Sequence, residues 1–235
     1  MPGRRTPSRA SRGSVAVGTE TRADLPALRD PRRLAAYAPP IDRLILCRHA
    51  ESVFNAQGVL NGNPSVPGGL TARGEQQARR LGDSLRDRRI DLCVTTAFER
   101  TIRTADIALA GRAVPRLVMS ALDDPPNGIF ELRPYDELRA WRAENGSDVA
   151  IPGTDVTERE ALERMRAGFF DLVARPEGTI LAVLHGWFVT WALVSAGLDA
   201  TDVPDQAVAH ELTVGMVADA LRATTEDVFA RYRLP

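Results

Sequence analysis

GTILAVLHGWFVTWALVSAG (residues 178–197) contains the most hydrophobic run of the chain. Thr179 to Leu184 is apolar, β-branched or aliphatic and of strand length, which predicts a strand buried on both faces. His185-Gly186 breaks the run, and the apolar stretch from Trp187 to Ala196 that follows it is helical in length. The same order recurs upstream. RLILC (43–47) is a short apolar run ending in a polar loop, and Thr71 then caps a helix with Ala78, Leu81 and Leu85 on its buried face and Leu70 as a staple. DLCVT (91–95) is followed by a helical pattern from about Glu99 to Leu109, and Leu117–Met119 reads as a third strand. Residues 133–144 and 157–174 have helical periodicity, the latter with Leu162, Met165, Phe169 and Leu172 on one stripe. Strands alternating with helices predict an α/β three-layer sandwich, a mostly parallel central sheet with helices on both faces. Ligands of such sheets bind beyond the carboxyl ends of the strands.

The chain has 235 residues, 44% of them hydrophobic and 26% charged, a balance that fits one well-buried domain. All 30 cationic side chains are arginine. Without lysine the chain can form no Schiff base and supply no P-loop lysine. Arginine for lysine, with abundant alanine, is the usage of a GC-rich bacterial genome. A net charge of −1 gives no reason to expect nucleic acid as a partner. No apolar stretch approaches the ~20 residues of a membrane span, and the N-terminus lacks the apolar core of a signal peptide, so a cytoplasmic protein is expected. Cys47 and Cys93 sit in apolar runs and read as buried thiols. Residues 1–40 carry eight arginines against three acids and are rich in Pro, Ser and Gly, which predicts a disordered Arg-rich extension ahead of a domain over 41–235.

Three polar clusters fall at strand ends: Arg48-His49 after 43–47, Arg100 at the start of the helix after 91–95, and His185 after 179–184. Singly, each has a structural explanation. Read onto one parallel sheet, they converge on one rim. Two imidazoles and two guanidiniums there make an anion site, because Arg presents planar, bidentate donors matched to phosphate oxygens. The helix starting near Gly186 adds backbone N–H groups and a positive dipole end. A phosphate monoester is the substrate class that fits.

These residues resemble the histidine phosphatase superfamily, also called phosphoglycerate-mutase-like. Arg48-His49-Ala50-Glu51-Ser52 with Asn55 is similar to its nucleophile motif. Gly62, then Leu70-Thr71, Gly74 and Gln77-Ala78, resembles its second segment, and Thr96 to Ala105, with Arg100, its arginine helix. Leu122-Asp123-Asp124 with Gly128 resembles its acid motif, and Val183-Leu184-His185-Gly186 its second-histidine motif. The resemblance covers about 42–195. It implies a phosphoglycerate-mutase-like fold and a phosphohistidine formed on His49. Arg48, Arg100, His185, Asn55 and Gly186 would bind the phosphate, and Asp124 would be the general acid. Catalytic roles thus fall to His49, Asp124 and His185. No metal and no cofactor are implied.

The chain departs from the family pattern in places. Asp124 stands where Glu is usual, with Asp123 and Glu131 as rivals for the acid. Ala50 replaces a glycine, and PGTDV (152–156) replaces a Pro-Gly-Gly-Glu-Ser segment. The segment after the acid loop lacks the Arg-Arg-Ser-Tyr insertion of the mutases, so a phosphatase acting on a small metabolite such as a sugar phosphate is expected. A mutase and a non-catalytic phosphate-binding scaffold are the alternatives. Arg133, Arg139 and Arg142 are candidates for contacts to the substrate's tail, though exposed helical arginine is the commoner reading. Specificity is expected from 56–69, 127–155 and the C-terminal tail. Trp187 and Trp191 are expected in the core and His210 in a structural or exposed place. A homodimer is left open.

Overall fold

The computed structural model describes residues 38–198, 203–224 and 226–227. Of the predicted Arg-rich extension, residues 1–37 lie outside the described residues. The chain runs β1 (Arg43–Arg48), α1 (Val53–Gln57), α2 (Ala72–Ser84), β2 (Leu92–Thr95), α3 (Glu99–Ala108) and β3 (Arg116–Val118). Two 3-10 turns, Ser120–Leu122 and Gly128–Phe130, lead to α4 (Tyr135–Asn145) and α5 (Glu158–Val173). The chain continues through β4 (Thr179–Leu184), α6 (Gly186–Ser195), β5 (Ala209–Thr213) and α7 (Val214–Arg222).

The five strands form one sheet in the order β3-β2-β4-β1-β5. β4 lies at its centre, parallel to β1 with Ile45 opposite Leu181 and parallel to β2 with Val94 opposite Ala182. Alternation of side chains along each strand sends its apolar residues to two different cores. Leu44, Leu46, Val94, Ile180, Ala182 and Leu184 meet α5, α6 and α7 through Phe169, Trp191 and Val217. Ile45, Cys47, Cys93, Leu181 and Val183 meet α2 and α3 through Leu81 and Ala105. Both faces are therefore covered, as continuous apolar strands require. The two cysteines are buried and unpaired, and burial raises both thiols, Cys93 to about 11.

The predicted elements from β1 through α6 are present with small shifts at their ends. Thr71 accepts from the backbone N–H of Gly74 as the expected cap of α2, and a reciprocal Thr157–Glu160 capping box opens α5. The tail, to which no element was assigned, supplies an antiparallel strand, β5, against the open edge of β1, and His210 lies on it, half-buried. Among the described residues, no helix is long and apolar enough to cross a membrane.

Trp191 is 1% exposed and stacks edge-on to Phe169 at 5.4 Å and against Phe188 at 5.3 Å. Replacing it with Ala should leave a cavity and cost about 3–5 kcal/mol of unfolding free energy in a denaturant titration.

Candidate active site

Every side chain of the site is delivered by the end of an element. β1 ends at Arg48 and hands over to His49. The first turn of α3 carries Arg100, and His185 is the N-cap residue of α6 immediately after β4. Asp124 lies on the loop that follows the 3-10 turn after β3. Because β1, β2 and β4 are parallel, their carboxyl ends share one rim, and the three predicted clusters meet there.

Arg100 is the hub. Its side chain is only 5% exposed. Nε donates to His49 Nε2 at 3.1 Å and Nη1 donates to Asn61 Oδ1 at 2.6 Å. Nη2 lies 3.1 Å from the Asn61 carbonyl, 2.9 Å from Asp124 Oδ2 and 3.1 Å from His185 Nδ1. The guanidinium also lies over the Phe98 ring, 4.1 Å from its centroid.

The two histidines take opposite tautomers. His49 Nδ1–H donates to the Ala50 carbonyl at 2.8 Å, which leaves the Nε2 lone pair to accept from Arg100. Thr101 Oγ1–H donates to the Phe98 carbonyl at 2.8 Å, so its oxygen accepts from Thr96 Oγ1–H at 2.9 Å. Thr96 Oγ1 in turn accepts from His185 Nε2–H at 2.9 Å. The lone pair of His185 therefore sits on Nδ1. Burial, and then the Arg100 charge, holds both imidazoles well below their usual pKa. Both rings are neutral at pH 7.

Asp124 Oδ2 lies 3.1 Å from His185 Nδ1. A carboxylate oxygen there would face a lone pair, whereas a protonated carboxyl donates to it. Burial raises the Asp124 pKa, against the opposing pull of Arg100, whose Nη2 donates to Oδ2. The two rival carboxylates are elsewhere engaged. Asp123 Oδ1 accepts from the Ala97 N–H at 2.8 Å. Glu131 accepts from Gly62 N–H at 2.9 Å and from the side-chain amides of Asn61 and Asn127, both at 3.2 Å. Glu131 thereby fixes Asn61, which fixes Arg100. That linkage between loops left no periodic signal, and Asn61 was not among the residues anticipated from sequence.

Arg48 Nη1 donates to the Pro204 carbonyl at 3.2 Å, while its Nε is buried without a hydrogen-bond partner. Gly186 makes room for it: a Cβ there would stand 2.6 Å from Val203 Cγ1 and 3.1 Å from Arg48 Nε. Ala50 adopts no left-handed conformation, and its methyl packs in the core beside Cys47. Its N–H donates to Thr104 Oγ1 at 3.0 Å. The glycine-to-alanine departure therefore leaves the backbone beside His49 unstrained. Asn55 stands at the mouth. Its Oδ1 accepts from Gln206 Nε2 at 3.0 Å and its Nδ2 donates to Tyr135 Oη at 3.1 Å.

These groups line a cavity of about 460 Å³ with Arg48, His49, Asn55, Arg100, Asp124 and Gly186 in one wall. Arg139, Arg142 and Trp187 line it too, whereas Trp191 is core and Arg133 pairs with Glu137 at the surface. Among the described residues, no group of three or more His, Cys, Asp or Glu is gathered as metal ligands.

The family model of the histidine phosphatase superfamily (branch 1) matches residues 44–212. A curated relative from Salmonella choleraesuis (strain SC-B67), named "Probable phosphoglycerate mutase GpmB", is 32% identical over 152 residues, 61% of this chain and 69% of that protein. The solved alpha-ribazole phosphatase from Shigella flexneri is 27% identical with a TM-score of 0.58, covering 72% of this chain and 89% of its own. YhfR of Bacillus stearothermophilus superposes with a TM-score of 0.60 at 22% identity over 72% of this chain and 89% of that one, a likeness of fold.

The tautomers can be read directly by nitrogen-edited NMR of the histidine rings. His49 should appear as the Nδ1–H form and His185 as the Nε2–H form. Each should titrate below the ~6.5 of a free imidazole; either ring protonating at or above that value contradicts the network described.

Proposed function

The chain belongs to the histidine phosphatase superfamily, and from that premise we propose that it hydrolyses phosphate monoesters without a metal, through a phosphohistidine on His49. The observation that carries this reading is the state of His49. The ring is neutral, Nδ1–H is held by the Ala50 carbonyl, and the Nε2 lone pair is at the cavity wall. A nucleophile held in one tautomer needs no proton shift before attack.

In the proposed reaction the Nε2 lone pair attacks phosphorus and the bond to the ester oxygen breaks. Arg100 releases its contact to Nε2 and turns its donors to the phosphoryl oxygens, joined by the free Nε–H of Arg48 and the first-turn N–H groups of α6. Asn55 would add a polar contact at the mouth. Asp124 gives its proton to the departing alkoxide. The resulting carboxylate then takes a proton from water as that water attacks the phosphohistidine, which restores His49 and releases inorganic phosphate. His185, neutral and anchored by Thr96, holds the Asp124 carboxyl on the leaving-group side.

Hydrolysis is favoured over mutase chemistry by the segment after the acid loop, which lacks the Arg-Arg-Ser-Tyr insertion of the mutases.

Phosphate release should be measured in EDTA over a panel of monoesters. Wild type should turn over and His49→Ala should lose activity on every ester; equal activity in both would contradict the nucleophile. Asp124→Asn should lower kcat about 10²–10⁴-fold on alkyl phosphates, whose leaving groups need a proton, and far less on p-nitrophenyl phosphate. The pH profile follows in sign. His49 must be neutral, and its lowered pKa moves the acid limb well below 6.5. Asp124 must be protonated, and its raised pKa moves the alkaline limb above 3.8. The Asn variant should lose the alkaline limb alone.

A further inference from the structure

In the lining of the same cavity, α4 and α5 bring a second pair of charged side chains together. Arg142 Nη1 and Glu158 Oε1 are 3.5 Å apart, with the side chains 18% and 4% exposed. The pair is incomplete: Glu158 Oε1 and Arg142 Nε are both buried with no hydrogen-bond partner. Burial raises the Glu158 carboxyl above its usual range, and the Arg142 charge offsets only part of that. A buried ion pair is stable only when its remaining donors and acceptors are also satisfied. The start of α5 does not require this arrangement, because the Thr157–Glu160 box already caps it. Both side chains line the cavity that holds His49.

The chemistry of a matching ligand follows from what surrounds the pair. Much of the cavity lining is apolar, with Phe54, Leu60, Leu138 and Trp187 contributing. A hexose would leave many of its hydroxyls unpaired against such apolar walls. A flat heterocycle fits both features, since its faces are apolar and one edge can carry a donor beside an acceptor. The volume of about 460 Å³ falls within the ~300–1,000 Å³ usual for ligands of that size.

We propose that Arg142 and Glu158 are a recognition subsite for the organic part of the phosphoester, which is a heterocycle bearing an N–H beside a carbonyl or ring-nitrogen acceptor, as in a nucleoside monophosphate. Glu158 accepts from the N–H, Arg142 donates to the neighbouring acceptor, and the phosphate lies at His49. This narrows the small-metabolite expectation from sequence, and it rests on the phosphatase reading given above.

The test compares kcat/KM for guanosine and uridine 5′-monophosphates with glucose 6-phosphate, 3-phosphoglycerate and p-nitrophenyl phosphate. The nucleotides should exceed the sugar phosphate and the phosphoglycerate by about tenfold or more. In Glu158→Gln and in Arg142→Gln, the ratio of nucleotide to p-nitrophenyl phosphate should fall about tenfold, mainly through KM. Turnover without that ranking, or an unchanged ratio in both variants, overturns the subsite and leaves the phosphatase reading standing. No phosphate released from any ester, p-nitrophenyl phosphate included, overturns both. The wild-type ranking needs no substitution, so a variant that does not fold leaves the test intact.

Discussion

Burying a guanidinium costs several kcal/mol of lost hydration unless its N–H groups find acceptors. Arg100 meets that condition with four residues from four segments: His49 after β1, Asn61 after α1, Asp124 after β3 and His185 after β4. None of these segments is adjacent to another in sequence, so the requirement to satisfy one cation holds four loops in register. In the proposed reaction Arg100 would exchange some of these acceptors for the phosphoryl oxygens, with its charge in place before the ester binds.

Around this hub, each neighbouring hydrogen bond removes one degree of freedom. The Ala50 carbonyl sets the His49 tautomer, and the Thr101–Thr96 hydroxyl relay sets that of His185 in the opposite sense. Both rings are neutral, and their lone pairs sit on different atoms, Nε2 of His49 and Nδ1 of His185. Glu131 works at one remove, tying Gly62, Asn61 and Asn127 together so that Asn61 presents its oxygen to Arg100. Substituting it would disturb Arg100 without removing any group of the cavity wall.

The sheet and most of the rim were legible because hydrophobic patterning records them. Apolar runs such as Thr179–Leu184 mark strands buried on both faces, and the polar residues at their ends, His185 and Arg48-His49, mark where a parallel sheet presents its chemistry. Asn61, Thr96 and Glu131 had no such mark, since hydrogen bonds between loops impose no period on the chain. The resemblance put Asp124 ahead of Asp123 and Glu131 as the acid, and the three meet different donors in the structure. β5 and α7 lie in a tail that was assigned no elements; β5 is short and exposed along one side, so its AHELT carries little apolar pattern. Ala50, which replaces the family's glycine, keeps a negative φ, and a buried methyl fits there.

The central claim is that His49, held neutral with its lone pair on Nε2, becomes phosphorylated during turnover. Acid-labile, base-stable phosphate should be trapped by quenching the enzyme in alkali during hydrolysis of a labelled monoester, followed by peptide mapping. The account expects label on the peptide containing His49, appearing before steady-state release and discharging to inorganic phosphate when fresh unlabelled substrate is added. Turnover with no covalent label, or label on the peptide containing His185 instead, would contradict it.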